Sequence, residues 1–358
     1  MQIAERLDPA RFESYVCATR FSEEERTRPT VEHAVRQMEE SGVTFLGLDR
    51  SSKFDLMAWR PLYQLMRRER IDVVHAHKFG ANVWGVVMGR LARVPVIVTH
   101  EHGWAFEGER LKVFLDRELI ARGGTVHVAV SRADEERMTS IEKIKPKDTV
   151  FVPNGISPLP APSGKDVRAE LGIAPDAPLT GTMGFLRYPK AIDNLVRAAD
   201  PLRRMVPGVK VLIAGDGPDR PMVEAIIDEL DLHDTVMLLG LRSDVPDLLA
   251  ALDVAVCPSD SEGSPLSIME YMDAGLPVVS TNVGGVPDLI DEGVHGLLVP
   301  RRDPEGLARA MAELLNDRER AAEMGRRGRE RRAREFDIDV MVGNIENLYL
   351  DLYAKARS

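Results

Sequence analysis

Cysteine is scarce: Cys17 and Cys257 are the only two among 358 residues. Two thiols cannot build a disulfide framework, and no Cys/His cluster with zinc-module spacing accompanies them, so a cytoplasmic setting is expected. No apolar run is long enough to cross a bilayer, and no signal-peptide pattern is present. Aromatic residues make up only 5% of the chain, and the formal net charge is −10. That charge argues against nucleic acid as a partner. No low-complexity linker and no obvious internal repeat interrupt the chain.

What is present is an ordinary globular composition, 44% hydrophobic, at a length comfortable for two domains. Short β-branched runs alternate with longer helical patterns, which indicates parallel sheets built from βαβ units. Strands are expected at 15–18, 43–46, 73–75, 96–99, 125–130 and 150–152, with helices such as 59–70 and 110–121 between them. Pro153-Asn154-Gly155 breaks this pattern, and the proline-rich stretch 157–178 reads as an interdomain connection. A second set of strands follows at 179–185, 209–214, 236–239, 254–257, 278–281 and 296–299. The expected fold class is α/β, two Rossmann-like domains facing across a cleft, with ligands beyond the carboxyl ends of the strands. The expected domains are 1–157 and 158–335, followed by a C-terminal helical segment, 336–358. Residues 1–9 read as the end of an amphipathic helix. The opening strand and glycine-rich turn of a Rossmann-like domain are therefore expected to be missing from the first domain.

The most informative stretch is Glu262-Gly-Ser-Pro-Leu-Ser-Ile-Met-Glu270, followed by Gly275-Leu-Pro-Val-Val-Ser and Gly284-Gly285. A short buried strand precedes it. Ser264 is expected to cap a helix, with Pro265 at its first position. Glu262 then lies on the strand-to-helix loop, and Glu270 about two turns into the helix. The free N–H groups at such a helix start suit a diphosphate, and a carboxylate on each side can hold sugar hydroxyls.

On these residues the chain resembles the retaining glycosyltransferases of family 4, the glycosyl transferases group 1, which have the glycosyltransferase-B fold. The resemblance runs from about residue 72 to the C-terminus and is densest over 181–300. It implies that Glu262 contacts the donor sugar and Glu270 the ribose. Lys190 matches the family lysine at the diphosphate, in the segment that opens with Gly184. Phe185 stands where the family has arginine and Ala191 where it has glycine, so Arg187 is the candidate for the missing charge. Ser264, Pro265 and Leu266 would shape the phosphate site through backbone N–H groups, with no donor from Pro265. Gly240, Leu241 and Arg242 resemble the loop that frames the base, and Gly215-Asp216-Gly217 ends another strand at the same sheet edge. In the first domain, a strand ends in His100-Glu101-His102. The family has a histidine there that assists transfer: His102 is the first choice and His100 the second, with Glu101 orienting one of them. His75 and His77 end another strand, one of them expected in the interior. Asn154-Gly155 is expected to turn the chain at the domain junction. The last helix is expected to return to the first domain.

The implied activity moves a sugar from a UDP-, GDP- or ADP-sugar to a hydroxyl acceptor. The acceptor would be a lipid-linked sugar, a glycan or a small molecule, as in cell-envelope or exopolysaccharide synthesis. No cofactor and no metal are expected, because no Asp-x-Asp motif sits on a suitable loop and Lys190 with a helix start can replace a cation. The basic run from Arg326 to Arg334 reads first as a solvated helix and second as a contact for an anionic membrane surface on the inner face. Two other readings stay open: a nucleotide-sugar epimerase of the same fold, and a non-catalytic nucleotide-binding scaffold.

Overall fold

The computed structural model describes every residue except 1, 20, 22–27, 49, 51–54 and 104–108. The chain divides into two compact units, Met1–Pro153 with Ile338–Ser358, and Asn154–Asp337. These limits lie a few residues from the expected 157/158 and 335/336. The reason is local: beyond Pro153 the backbone is already sewn into the second unit. The Ile156 N–H donates to the Phe336 carbonyl at 3.0 Å, and the Arg332 guanidinium donates to the Ile156 carbonyl at 2.7 Å.

The second unit is built on a six-stranded sheet. Its strands are β7 (Leu179–Met183), β8 (Lys210–Ala214), β9 (Val236–Gly240), β10 (Val254–Cys257), β11 (Val278–Thr281) and β12 (Gly296–Val299). Their spatial order is β12-β11-β10-β7-β8-β9, and all pairs are parallel. Strands buried on both faces read as unbroken apolar runs, as Val254–Cys257 does: all four residues are buried. One core contains Val211, Ile213, Val254 and Val256 with Leu195, Leu202, Leu307 and Met311 from helices. The other contains Leu212, Ala255, Cys257 and Val278 with Ile268, Met269, Tyr271 and Met272. Alternate residues of each strand thus pack into opposite layers. Chain direction across the sheet reverses between β7 and β10, where such sheets bind ligands.

In the first unit, β3 (Val73–His77), β4 (Val96–Glu101), β5 (Val126–Ala129) and β6 (Thr149–Phe151) form a four-stranded sheet, again parallel. β1 (Tyr15–Ala18) and β2 (Thr44–Gly47) form a separate parallel pair. β3 and β4 each run two residues beyond the expected ends, because polar His and Glu side chains do not interrupt a backbone ladder. The helix expected at 110–121 is broken: Arg110–Leu115 is α-helical and Asp116–Ile120 is a π-turn. The last helix, Ile338–Arg357, belongs to this unit. It lays Ile338, Met341, Val342, Ile345 and Tyr349 against Val96, Val98, Val126 and Val128. No helix among the described residues is long and apolar enough to cross a membrane.

Candidate functional site

In the second unit, four loops leave the carboxyl ends of β7, β8, β9 and β10 and are joined backbone to backbone. The Gly184 N–H donates to the Ala214 carbonyl at 2.9 Å, Leu186 to Asp216 at 3.0 Å, Gly215 to Gly240 at 2.8 Å and Asp260 to Pro189 at 2.7 Å. Glycine is required where these loops touch one another and where the loop after β11 meets the one after β10. A Cβ on Gly215, at φ +147°, would lie 1.8 Å from the Gly184 carbonyl oxygen, and one on Gly284, at φ +50°, would lie 1.8 Å from that of Glu262.

Lys190, after β7, and Glu262, after β10, meet across the sheet's switch point. Lys190 Nζ lies 2.7 Å from Glu262 Oε1, and the Ser259 hydroxyl donates to the same oxygen at 2.6 Å. The helix that follows is Leu266–Asp273, with Pro265 at the cap position and no side-chain cap. The expected Ser264 cap is therefore corrected by one residue. The Ser264 hydroxyl is buried without a partner, while its carbonyl accepts from Asn154 Nδ2 at 3.2 Å. With no side chain capping it, the first turn of this helix keeps its N–H groups for another acceptor. Further along, Glu270 is half-buried and forms no ion pair among the described residues. Burial pushes its pKa up.

The other candidates at this edge differ in standing. Arg187 is exposed, and its guanidinium lies over the Phe185 ring at 5.5 Å from the centroid; its link to Lys190 is through the backbone, the Lys190 N–H donating to the Arg187 carbonyl at 2.8 Å. Leu241 is 79% exposed, next to Gly240 at φ +65°. Arg242 is occupied by Asp244 and, through two parallel bonds, by Glu170, which braces the loop. The basic helix Arg318–Glu335 is largely neutralised by carboxylates on the helix and outside it. Arg326 and Arg327 pair with Glu323, Arg331 with Asp291, and buried Arg332 with Asp273 and Asp337. It is thus more braced than the solvated helix expected, and an anionic surface would have to compete with these pairs.

In the first unit, β3 and β4 carry a histidine at every second position near their ends, so all four rings share one face of the sheet. His77 stands opposite His100 in the register. The His75 and His100 rings stack at 5.1 Å, and those of His100 and His102 at 4.4 Å. His75 Nε2 is 3.1 Å from His100 Nδ1, and His77 Nδ1 is 2.9 Å from His102 Nε2. Desolvation lowers the pKa of all four, to about 3 for His77 and about 4 for His102. They are neutral imidazoles at ordinary pH. Glu101 does not orient a histidine as expected: it points to the other face and accepts from Asn82 Nδ2, where burial raises its pKa to about 8. The sequence reading missed the pairing of His77 with His102. The signal was there: two His-x-His runs at the ends of consecutive strands place their rings side by side once those strands pair in parallel.

Two family models divide the chain, the Glycosyl transferases group 1 model over residues 164–331 and the Glycosyltransferase Family 4 model over residues 1–158. An Escherichia coli UDP-Gal:α-D-GlcNAc-diphosphoundecaprenol α-1,3-galactosyltransferase is 28% identical over 83% of this chain and 80% of its own. The α-maltose-1-phosphate synthase of Mycolicibacterium smegmatis is 28% identical over 80% of each. Among solved structures, Anabaena HepE in complex with UDP superposes with a TM-score of 0.83 at 22% identity, covering 98% of this chain and 94% of that one. The fold is that of the glycosyltransferase-B enzymes, and the chain belongs to the group 1 glycosyltransferases.

Proposed function

We propose that the protein transfers a sugar, with retention of anomeric configuration and without a metal, from a UDP-sugar to a hydroxyl of a lipid-linked sugar, glycan or small-molecule acceptor. The observation that carries this reading is the Lys190–Glu262 contact at the switch point, beside an uncapped helix start, with Glu270 about one turn into that helix. The diphosphate would take Lys190 and the helix N–H groups, which supply the positive potential that a metal supplies elsewhere. Glu262, released from the lysine, would accept from donor-sugar hydroxyls, and Glu270 from the ribose. UDP is preferred over GDP and ADP as the carrier because a relative acts on UDP-Gal and fold neighbours hold UDP and UDP-glucose.

In the reaction the bond from the anomeric carbon to the β-phosphate oxygen breaks. The acceptor oxygen bonds to that carbon on the same face, and its proton passes to the leaving phosphate. His102, with His100 behind it, is the candidate to stabilise the sugar during this step. The test is incubation with UDP-, GDP- and ADP-sugars plus an acceptor panel, in chelator, with the product anomer read by NMR. Transfer that keeps the donor's anomeric configuration supports the reading. Inversion, or strict dependence on an added divalent ion, refutes it.

A further inference from the structure

We infer that His75, His77 and His100 form a binding site for a divalent transition-metal ion of the zinc, cobalt or nickel class. One ring nitrogen from each of these three lies within 4.8 Å of the other two. The 3.1 Å between His75 Nε2 and His100 Nδ1 is close to the ~3.3 Å that separates two nitrogens on a tetrahedral ion with bonds of about 2.0–2.1 Å. The ligands come from paired β-strands, so the backbone ladder fixes their spacing before any ion arrives. An all-imidazole donor set suits zinc, nickel, cobalt or copper and does not suit magnesium or calcium, which take oxygen.

The outer contacts of His75 and His77 point the same way, whereas His100, 1% exposed, has no partner for its outward Nε2. Tyr349 Oη lies 2.6 Å from His75 Nδ1, and as acceptor it fixes the tautomer that leaves the His75 Nε2 lone pair free. His102 does the corresponding work on His77 through the 2.9 Å contact. Three protein nitrogens leave a fourth position for water or an exogenous ligand. The inference does not rest on Lys190 or Glu262, which belong to the other unit, and it shares only His100 with the proposed reaction.

The test uses the full chain without an affinity tag, stripped with chelator and titrated with Co²⁺. The expected result is one equivalent bound, with the visible d–d absorption of tetrahedral nitrogen-coordinated cobalt, displaced by Zn²⁺, and a raised unfolding temperature. His77→Gln and His100→Gln should each abolish the band in protein whose far-ultraviolet circular dichroism is unchanged. Tyr349→Phe should weaken binding about 10-fold, the lower end for loss of an outer-shell partner. His33→Gln with His233→Gln, both distant in sequence, should change nothing. The proposal is overturned if no such band forms, if it survives His77→Gln and His100→Gln, or if the His33/His233 pair abolishes it. Should His100→Gln fail to fold, the His77→Gln and Tyr349→Phe results decide.

Discussion

Lys190→Met separates the two jobs given to this lysine, holding Glu262 in place and meeting a diphosphate. Removing one partner of a fully buried ion pair costs about 3–5 kcal/mol. Here the Lys190 side chain is 33% exposed and Glu262 10%, and Ser259 keeps its bond to the carboxylate. Screening and that surviving bond reduce the expected loss to about 1–2 kcal/mol. For a unit of this size that is a fall in unfolding temperature of about 2–8 °C. Transfer should fall more, by on the order of 10²-fold or ~2.7 kcal/mol, the usual effect of losing one electrostatic stabiliser of a leaving group. Calorimetry with UDP and with uridine completes the assay. The lysine should matter for UDP and hardly for uridine. Pairing Lys190→Met with Glu262→Gln removes the stranded charge, so stability should recover while the preference for UDP over uridine stays lost. If that preference returns with stability, or if Lys190→Met transfers sugar at the native rate, the lysine only props up Glu262 and the diphosphate assignment is wrong.

Glu270→Gln should weaken binding of free UDP by about 1.5–3 kcal/mol, the range for hydrogen bonds to a charged group, while Glu262→Gln should spare UDP and lower transfer; titration calorimetry beside an initial-rate assay checks the order. Gly284→Ala should destabilise the protein by about 1–3 kcal/mol or displace Glu262, since the new Cβ cannot share space with the Glu262 carbonyl; urea unfolding and the rate of transfer read the two outcomes. Glu101→Gln should stabilise the protein at pH 8 but not at pH 4. Burial raises the folded pKa of Glu101 from 4.5 to about 8, so its cost is absent below the unfolded pKa, grows as pH rises and levels off above the folded pKa, at up to a few kcal/mol. Unfolding curves that run parallel for wild type and variant from pH 4 to 8 would count against a carboxyl held neutral.

Much of this was legible without coordinates because its causes are local. β10, β11 and β12 fall where the apolar runs put them, and the pattern Glu262 to Glu270 places two carboxylates around a helix start whatever packs against it. The parts that were not legible depend on long-range pairing. Nothing near Lys190 in the chain says that it meets Glu262, because that contact exists only when β7 and β10 become neighbours in the sheet. The histidine face likewise needs the β3–β4 register. Asn82 takes Glu101 away from the histidines because alternate residues of a strand point to opposite faces, so an acid between two histidines in sequence is the side chain least able to reach them. The basic run at 326–334 looked solvent-facing from charge alone, since the carboxylate partners of buried Arg332 lie far off in one case and beyond the helix in the other.

The first unit is discontinuous in sequence: its sheet is covered by a helix that begins at Ile338, after the whole of Asn154–Asp337. During synthesis, Val96, Val98, Val126 and Val128 must therefore wait for Ile345 and Tyr349. At about 5–20 residues per second the intervening unit takes on the order of ten seconds or more to emerge, long enough to fold first on its own contiguous stretch. The nascent chain then carries a finished second unit and an uncovered valine face at once. Loss of the last helix by premature termination would leave that face exposed for good.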